Sequence, residues 1–302
     1  MVVNKVDRLC MDLGLDPSEA YVRIRELIES MNAVCASMLN SDVNDDTMEA
    51  VDGDANANND NDIDEKKASL WNFDPIKGNV VFASGLHGWG FTIPTLARSL
   101  FKSKTIPMKP PLLRQYLFGD FKYNTETGKV LKWKQSGNSS GEPMFAEYAL
   151  APLWEIYEGV SQAAASVGLK SELFAHNSAQ NGNTGKKTEN AKILASTSGM
   201  DRVLAAIQIG STSPGVISPQ PNNNNHDDRP IPQTTDDMQR LISRLGASSE
   251  SSIVSAVLRR YRPLSVSVLD AVCETGPSPA KATLELRPKV LALQDPPHQN
   301  DD

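Results

Sequence analysis

Asn4-Lys5-Val6-Asp7 stands directly after Met1-Val2-Val3, a short apolar run that reads as the end of a buried strand. An N-K-x-D tetrapeptide in that place has the groups to recognise a flat ring edge. Its carboxylate can accept two hydrogen bonds from adjacent N–H donors. Guanine offers such a pair on its Watson–Crick edge, whereas adenine presents an acceptor where guanine has its ring N–H. A buried carboxylate facing an acceptor is left unpaired, which sets the discrimination at roughly a few kcal/mol. Asn4 can bond the other edge of the base or brace the loop, and the stem of Lys5 can lie flat on the base face. Four letters alone are a weak signal, because a capped loop carries the same residues by chance. The apolar strand before them and the well-capped helix after them raise it.

A second strand end has the same character. Val80-Val81-Phe82-Ala83 runs into Ser84-Gly85-Leu86-His87-Gly88-Trp89-Gly90-Phe91, a turn rich in small residues. Gly85 lets the backbone come close to a ligand, and Ser84 and its neighbours offer N–H donors to a base carbonyl. Glycine turns after strands are mostly structural, but two such ends, one of them N-K-x-D, are what a purine pocket in a doubly wound sheet requires. The candidate base-binding residues are therefore Asn4, Lys5, Asp7, Ser84, Gly85 and Leu86.

Other chemistries find less support. His87 lies in a glycine-rich turn, where a surface or packing role is the ordinary one, and it has no Ser or Cys partner in register for a hydrolytic triad. Cys10, Cys35 and Cys273 are far apart without metal-binding spacing and read as reduced thiols. Trp89, Trp133 and Trp154 read as packing anchors. No catalytic residue and no metal ligand is assigned.

The elements that must position the candidates follow from the pattern. Asp16 as N-cap, Pro17 and Glu19 open a helix on which Ala20, Ile24, Leu27, Ile28, Met31, Cys35 and Met38 form one stripe expected to face the core. From Asp42 to Glu65 the chain is acidic and rich in Asn and Asp, without one Lys or Arg, and is expected to be a disordered insert. A strand at Asn79–Ala83 and a helix from Thr92 to Phe101 are expected next, then a break of the chain at Pro107, Pro110 and Pro111, a hairpin around Asn124–Gly128 and a helix from Met144 to Val167. Residues 176–192 and 211–236 are Asn/Gly/Ser/Pro-rich inserts. Helices over 236–246 and 250–273 close the pattern at Gly276-Pro277-Ser278-Pro279. The resulting division is 1–40 for the specificity strand and helix, 41–68 acidic insert, 69–175 the next folded block, 176–235 low-complexity inserts, and 236–302 helical.

Together these residues resemble the guanine-specificity region of elongation factor 2-type translational GTPases. The resemblance rests on Asn4-Lys5-Val6-Asp7-Arg8-Leu9, the helix from Pro17 to Met38 and Ser84 to Phe91. It continues through Leu117-Phe118-Gly119-Asp120, Met144 to Val160 and Arg259 to Pro279. Within that family the acidic insertion and the stretch Phe73–Phe82 are similar to the elongation factor-like GTPases of large-subunit maturation. Ser84-Gly85-Leu86-His87 has the form more typical of elongation factor 2, so a translocase parent stays open, as does a non-catalytic interaction module. The resemblance implies an α/β fold, the C-terminal part of a P-loop GTPase domain with a helical extension, followed by a β-barrel domain that this sequence does not reach. It implies GTP or GDP as ligand, with Mg²⁺ held only in a full-length parent. The implied partners are the pre-60S large ribosomal subunit, the anti-association initiation factor 6 and the Shwachman–Bodian–Diamond protein.

The remaining sequence sets limits. No G-x-x-x-x-G-K-[S/T] and no D-x-x-G occurs; Gly182-Asn183-Thr184-Gly185-Lys186-Lys187 has its glycines too close together. Phosphoryl transfer needs the phosphate cradle, a metal ligand and a positioned water, so the chain is expected to be inactive alone and to be a fragment whose first strand begins upstream. A net charge of -7 gives no support for a nucleic-acid coat. The stretch from Arg98 to Lys134, basic apart from Asp120 and Glu126, reads as a solvated face or as an approach to phosphate. No apolar run nears the ~18 residues that span a bilayer, and the expectation is a soluble, cytoplasmic protein without membrane contact.

Overall fold

The computed structural model of the chain describes residues 1–46, 72–134, 141–166, 173–174, 199–208, 250–276 and 278–280. Val2–Val3 (β1) lies parallel to Val81–Ser84 (β2), with Val2 opposite Val81 and Val3 opposite Phe82. Trp89–Phe91 (β3) returns antiparallel along the other side of β2, so the order is β1-β2-β3. A strand sends alternate side chains to opposite faces, and here each face has its own core. Val3, Val80 and Phe82 enter the main core, while Val81 and Ala83 meet Leu264, Val268 and Ala271 on the far side. A small sheet covered by helices on both faces is the α/β layering anticipated from the sequence. The antiparallel β3 is a correction, since Trp89-Gly90-Phe91 read as part of a turn and only Gly85 to Gly88 are the turn.

Asp7–Met11 (α1) follows β1, and Pro17–Asp46 (α2) follows α1. Asp16 and Glu19 form the expected capping box, with the Glu19 N–H donating to Asp16 Oδ1 at 2.8 Å and the Asp16 N–H to Glu19 Oε2 at 3.1 Å. The inward stripe is narrower than its periodicity suggested. Ala20, Ile24, Ile28 and Cys35 are buried, joined by Tyr21, but Leu27, Met31 and Met38 are exposed at 51, 42 and 64%. The helix also runs on through 41–46, residues whose composition placed them in the acidic insert. Extending an existing helix fixes one residue per added hydrogen bond, which asks less of propensity than starting one.

Ile93–Lys102 (α3) is capped by Thr92, which exchanges hydrogen bonds with Thr95. Pro110 and Pro111, which read as breakers, instead start Pro110–Leu117 (α4), where a missing N–H costs nothing. The hairpin pairs Phe121–Asn124 (β4) with Lys129–Lys132 (β5). A wider π-type turn at Ala146–Leu150 leads into Ala151–Ser166 (α5). Gly199–Gln208 (α6), between the two inserts, packs on α5. Arg202 fastens the pair, reaching Glu155 and Glu158 at 2.7 Å. Pro263 divides the helix expected over 250–273 into Glu250–Tyr261 (α7) and Leu264–Thr275 (α8), because the residue before a proline avoids helical geometry. The acidic stretch 47–71, the inserts 176–192 and 211–236 and the helix expected at 236–246 lie outside the described residues.

Aromatic residues are few, and they concentrate where the layers meet. The Phe145 ring has Phe82 at 5.0 Å, Phe118 at 5.1 Å, Tyr21 at 5.6 Å and Phe91 at 6.1 Å. Trp89, Trp133 and Trp154 are all buried, as anchors should be.

Candidate functional site

Parallel pairing puts the C-terminal ends of β1 and β2 side by side, and those ends carry the two predicted segments. Val6 N–H donates to Ala83 O at 3.1 Å, which draws the loop after β1 onto the end of β2. Asn4 takes the bracing role of the two open to it: its Oδ1 accepts from Lys5 N–H at 2.8 Å and from Gly85 N–H at 2.9 Å. The link to Gly85 joins residues 81 apart in sequence. A Cβ at Gly85 would meet the Asn4 amide at 3.4 Å, so glycine leaves room for the contact. Lys5 sits at φ 64°, a left-handed conformation uncommon for a residue with a side chain and one that turns the chain sharply between Asn4 and Val6. Asn4, Lys5, Gly85 and Leu86 form the exposed rim, with Leu86 68% exposed.

Beneath that rim lie Asp7 and Ser84, both buried. Asp7 is only 2% exposed, and its Oδ1 has no hydrogen-bond partner among the described residues. Its Oδ2 lies 3.7 Å from Nδ1 of His87. A buried carboxylate oxygen without a donor is costly, and such an atom asks for a ligand or an alternative position. Ser84 points inward too, its hydroxyl accepting from His87 N–H at 3.2 Å and its carbonyl from Gly88 N–H at 2.8 Å. The structure thus gathers all six predicted residues at one sheet end. Ser84 serves the turn through its hydroxyl and carbonyl, and Asp7 faces inward.

His87 is fully buried, so of the two ordinary roles for a turn histidine it takes the packing one. Its Nδ1 is 2.9 Å from Tyr157 Oη, and its Nε2 is 3.3 Å from Ser251 Oγ. Trp89 Nε1, which can only donate, reaches the same Tyr157 oxygen at 2.9 Å. With Trp89 donating to it, the Tyr157 oxygen can pass its own hydrogen to His87 Nδ1, and in that tautomer the histidine proton is on Nε2, toward Ser251. Burial pushes the His87 pKa down; Asp7 pulls it back up and Arg259 lowers it further. The Tyr157 hydroxyl is driven well above its ordinary value, first by burial. Tyr157, Ser251 and Arg259 had no signal in the sequence, because they come from α5 and α7 and reach the turn only through the fold.

Strand ends that converge on N-K-x-D and a glycine turn, in an α/β layering, define a G-domain-like architecture. Homology to known proteins gives the same class. "Elongation factor-like GTPase 1" of Homo sapiens is 31% identical over 170 residues, 53% of this chain and 15% of its own length. "Ribosome assembly protein 1" of Saccharomyces cerevisiae is 34% identical over 163 residues, covering 53% and 14%. The "109 kDa U5 small nuclear ribonucleoprotein component" of Arabidopsis thaliana is 32% identical over 161 residues, again 53% and 14%. No family model matches the sequence. Over about half its length, then, the chain is homologous to elongation factor-like GTPases, and it spans about one seventh of those relatives.

Among the described residues no cluster of three His, Cys, Asp or Glu side chains is placed to hold a metal ion. No described helix is long and apolar enough to cross a membrane.

Proposed function

We propose that Asn4, Lys5 and Asp7, with Ser84, Gly85 and Leu86 as the supporting loop, form the guanine-base pocket of a ribosome-associated GTPase that acts in assembly of the large subunit. The observation that carries this reading is the Asp7 carboxylate, buried with one oxygen unpaired at the end of a strand whose loop Asn4 fastens to Gly85. Such a carboxylate suits the two N–H donors of a guanine edge. The ligand is GTP or GDP. Lys5 and Leu86, both exposed on the rim, are placed to cover a base entering between the loops. The role of these six residues in this reading is base selection, and contacts to phosphate and Mg²⁺ are not assigned to them. Names of the relatives support a role in ribosome assembly, and the resemblance of the site region extends it to release of initiation factor 6 from pre-60S particles, in a soluble cytoplasmic setting, with the Shwachman–Bodian–Diamond protein as co-factor.

Base exchange tests the reading. Xanthine carries a carbonyl where guanine has its amino group, so Asp7→Asn, which adds a donor, should weaken GMP and strengthen XMP binding, each by about tenfold or more. AMP should stay weaker than GMP for the unaltered chain. Equal binding of GMP and AMP, or an Asp7→Asn chain that keeps its preference for GMP, refutes the proposal.

A further inference from the structure

The base-site reading leaves the buried surroundings of Asp7 unexplained. A carboxylate meant for a ligand needs something to hold it when the ligand is absent, and an exposed loop would supply water. Here Asp7 is 2% exposed, and its Oδ2 lies 3.7 Å from Nδ1 of the His87 ring. Their 3.7 Å separation is too long for a hydrogen bond and short enough for an ion pair. The ring itself is fixed from three sides. Tyr157 of α5 holds Nδ1 at 2.9 Å, Ser251 of α7 faces Nε2 at 3.3 Å, and Ser84 holds the backbone N–H.

We infer that His87 is a positioning residue for Asp7, which rests on the base-site reading above. Uncharged, it leaves the carboxylate free to turn toward a purine edge; protonated, it draws the carboxylate inward and guanine binding weakens.

The proton balance is simple. Neutral His87 accepts from Tyr157 at Nδ1, so no hydrogen points toward Asp7. Protonation fills Nδ1, which then donates to Tyr157 Oη, the phenol hydrogen turns to the neighbouring Ser84 hydroxyl, and the new positive charge lies beside a buried carboxylate where water screens little. The other charged and titratable groups around the ring are few. Arg259 of α7, which packs against Gly88, opposes the proton, whereas Asp7 of α1 favours it. Tyr157 stays a neutral phenol across the physiological range, and Cys10, one turn beyond Asp7, has its thiol pushed up by burial and stays uncharged. Among the described residues, Asp7 is the carboxylate in ion-pair reach of a protonated His87.

The test uses the whole 302-residue chain, which holds 4 histidines. Side-chain NMR follows their titration, and His87→Gln identifies the His87 signal by its loss. In Asp7→Asn the His87 titration is expected to move to lower pH by about half a unit or more. An unmoved midpoint overturns the coupling. GMP affinity is then read at about pH 7.5 and about pH 5, with an expected loss of about tenfold in the unaltered chain. His87→Gln keeps the phosphate titration of GMP but loses the histidine, so its loss is expected to stay within about threefold. The same pH profile in both overturns the inference while base binding stands. Absence of GMP binding at either pH removes the base-site reading and with it the pH consequence, and the NMR midpoint still decides the Asp7–His87 coupling.

Discussion

Replacing Tyr157 with Phe removes one oxygen from the interior and leaves two buried groups without their partner. Among the described residues Trp89 Nε1–H, on a side chain with 0% exposure, has its hydrogen bond to Tyr157 Oη alone, and His87 Nδ1, equally buried, loses the same partner. Each abandoned polar group costs about 1–3 kcal/mol, and no longer burying the phenol oxygen returns part of that. The two losses less this return give a net destabilisation of roughly 2–4 kcal/mol. Against a total stability of about 5–15 kcal/mol this is easily read. Urea unfolding followed by tryptophan fluorescence suits the chain, since Trp89 reports from the site itself. A Tyr157→Phe/His87→Gln double-mutant cycle should show coupling of about 1 kcal/mol, because both residues share one network. A Tyr157→Phe loss below about 0.5 kcal/mol, or strict additivity with His87→Gln, refutes the network as the brace of the glycine turn.

The pH dependence of stability carries two opposite signatures. His87 has its folded pKa below the ordinary 6.5, so the unfolded chain binds more protons, and stability should fall as the pH drops below about 6.5. His87→Gln should flatten that arm in urea titrations between about pH 7 and pH 5. Glu142 is pushed up from 4.5 to about 7, first by burial and then by Asp16 and Glu147. Its contribution is fully present below 4.5 and lost as the pH rises through about 7. Glu142→Gln should therefore stabilise by up to about 2 kcal/mol at alkaline pH and by little at acid pH, and equal effects at both would contradict the burial of that carboxyl. Glycine positions separate strain from crowding. Gly88→Ala meets Arg259 Nε at 2.5 Å at φ 69°, whereas Gly128→Ala, at φ 66°, has only Tyr123 Oη at 3.9 Å. Thermal melts should show roughly 1 kcal/mol lost at Gly128 and about 1 kcal/mol more at Gly88.

Local signals read well and long-range ones did not. The capping box at Asp16 and Glu19, the strand before Ser84 and the hairpin at Asn124–Gly128 each depend on neighbours in sequence, and the structure has all three. The stripe on α2 went wrong because helical spacing tells which residues share a face without telling what lies opposite. Leu27, Met31 and Met38 share the apolar flank yet stay exposed, while Tyr21, off the expected stripe, is fully buried. Pro110 and Pro111 read as breakers because a proline signals either an end or a beginning. Of the candidate site, N-K-x-D and the glycine turn were visible as residues, and their junction through Asn4 and Gly85 was one of two options. The inward turn of Asp7 was not visible at all, because its surroundings include His87, which is held by Tyr157 from 70 residues away.

The return of the chain through β3 has a consequence for how a ligand meets this site. Phe82 opposite Phe91, Ala83 opposite Gly90 and Ser84 opposite Trp89 clamp both ends of Gly85–Gly88, and Leu264 N–H and Arg262 O tie down Gly88 and Gly90 from α8 and the corner before it. The ordering entropy of that turn is spent when the domain folds, so in the proposed base site the loop would be preorganised before a base arrives. Substitutions that loosen the clamp far from the rim, at Gly90 or Ser267, then tax affinity without touching a single ligand atom.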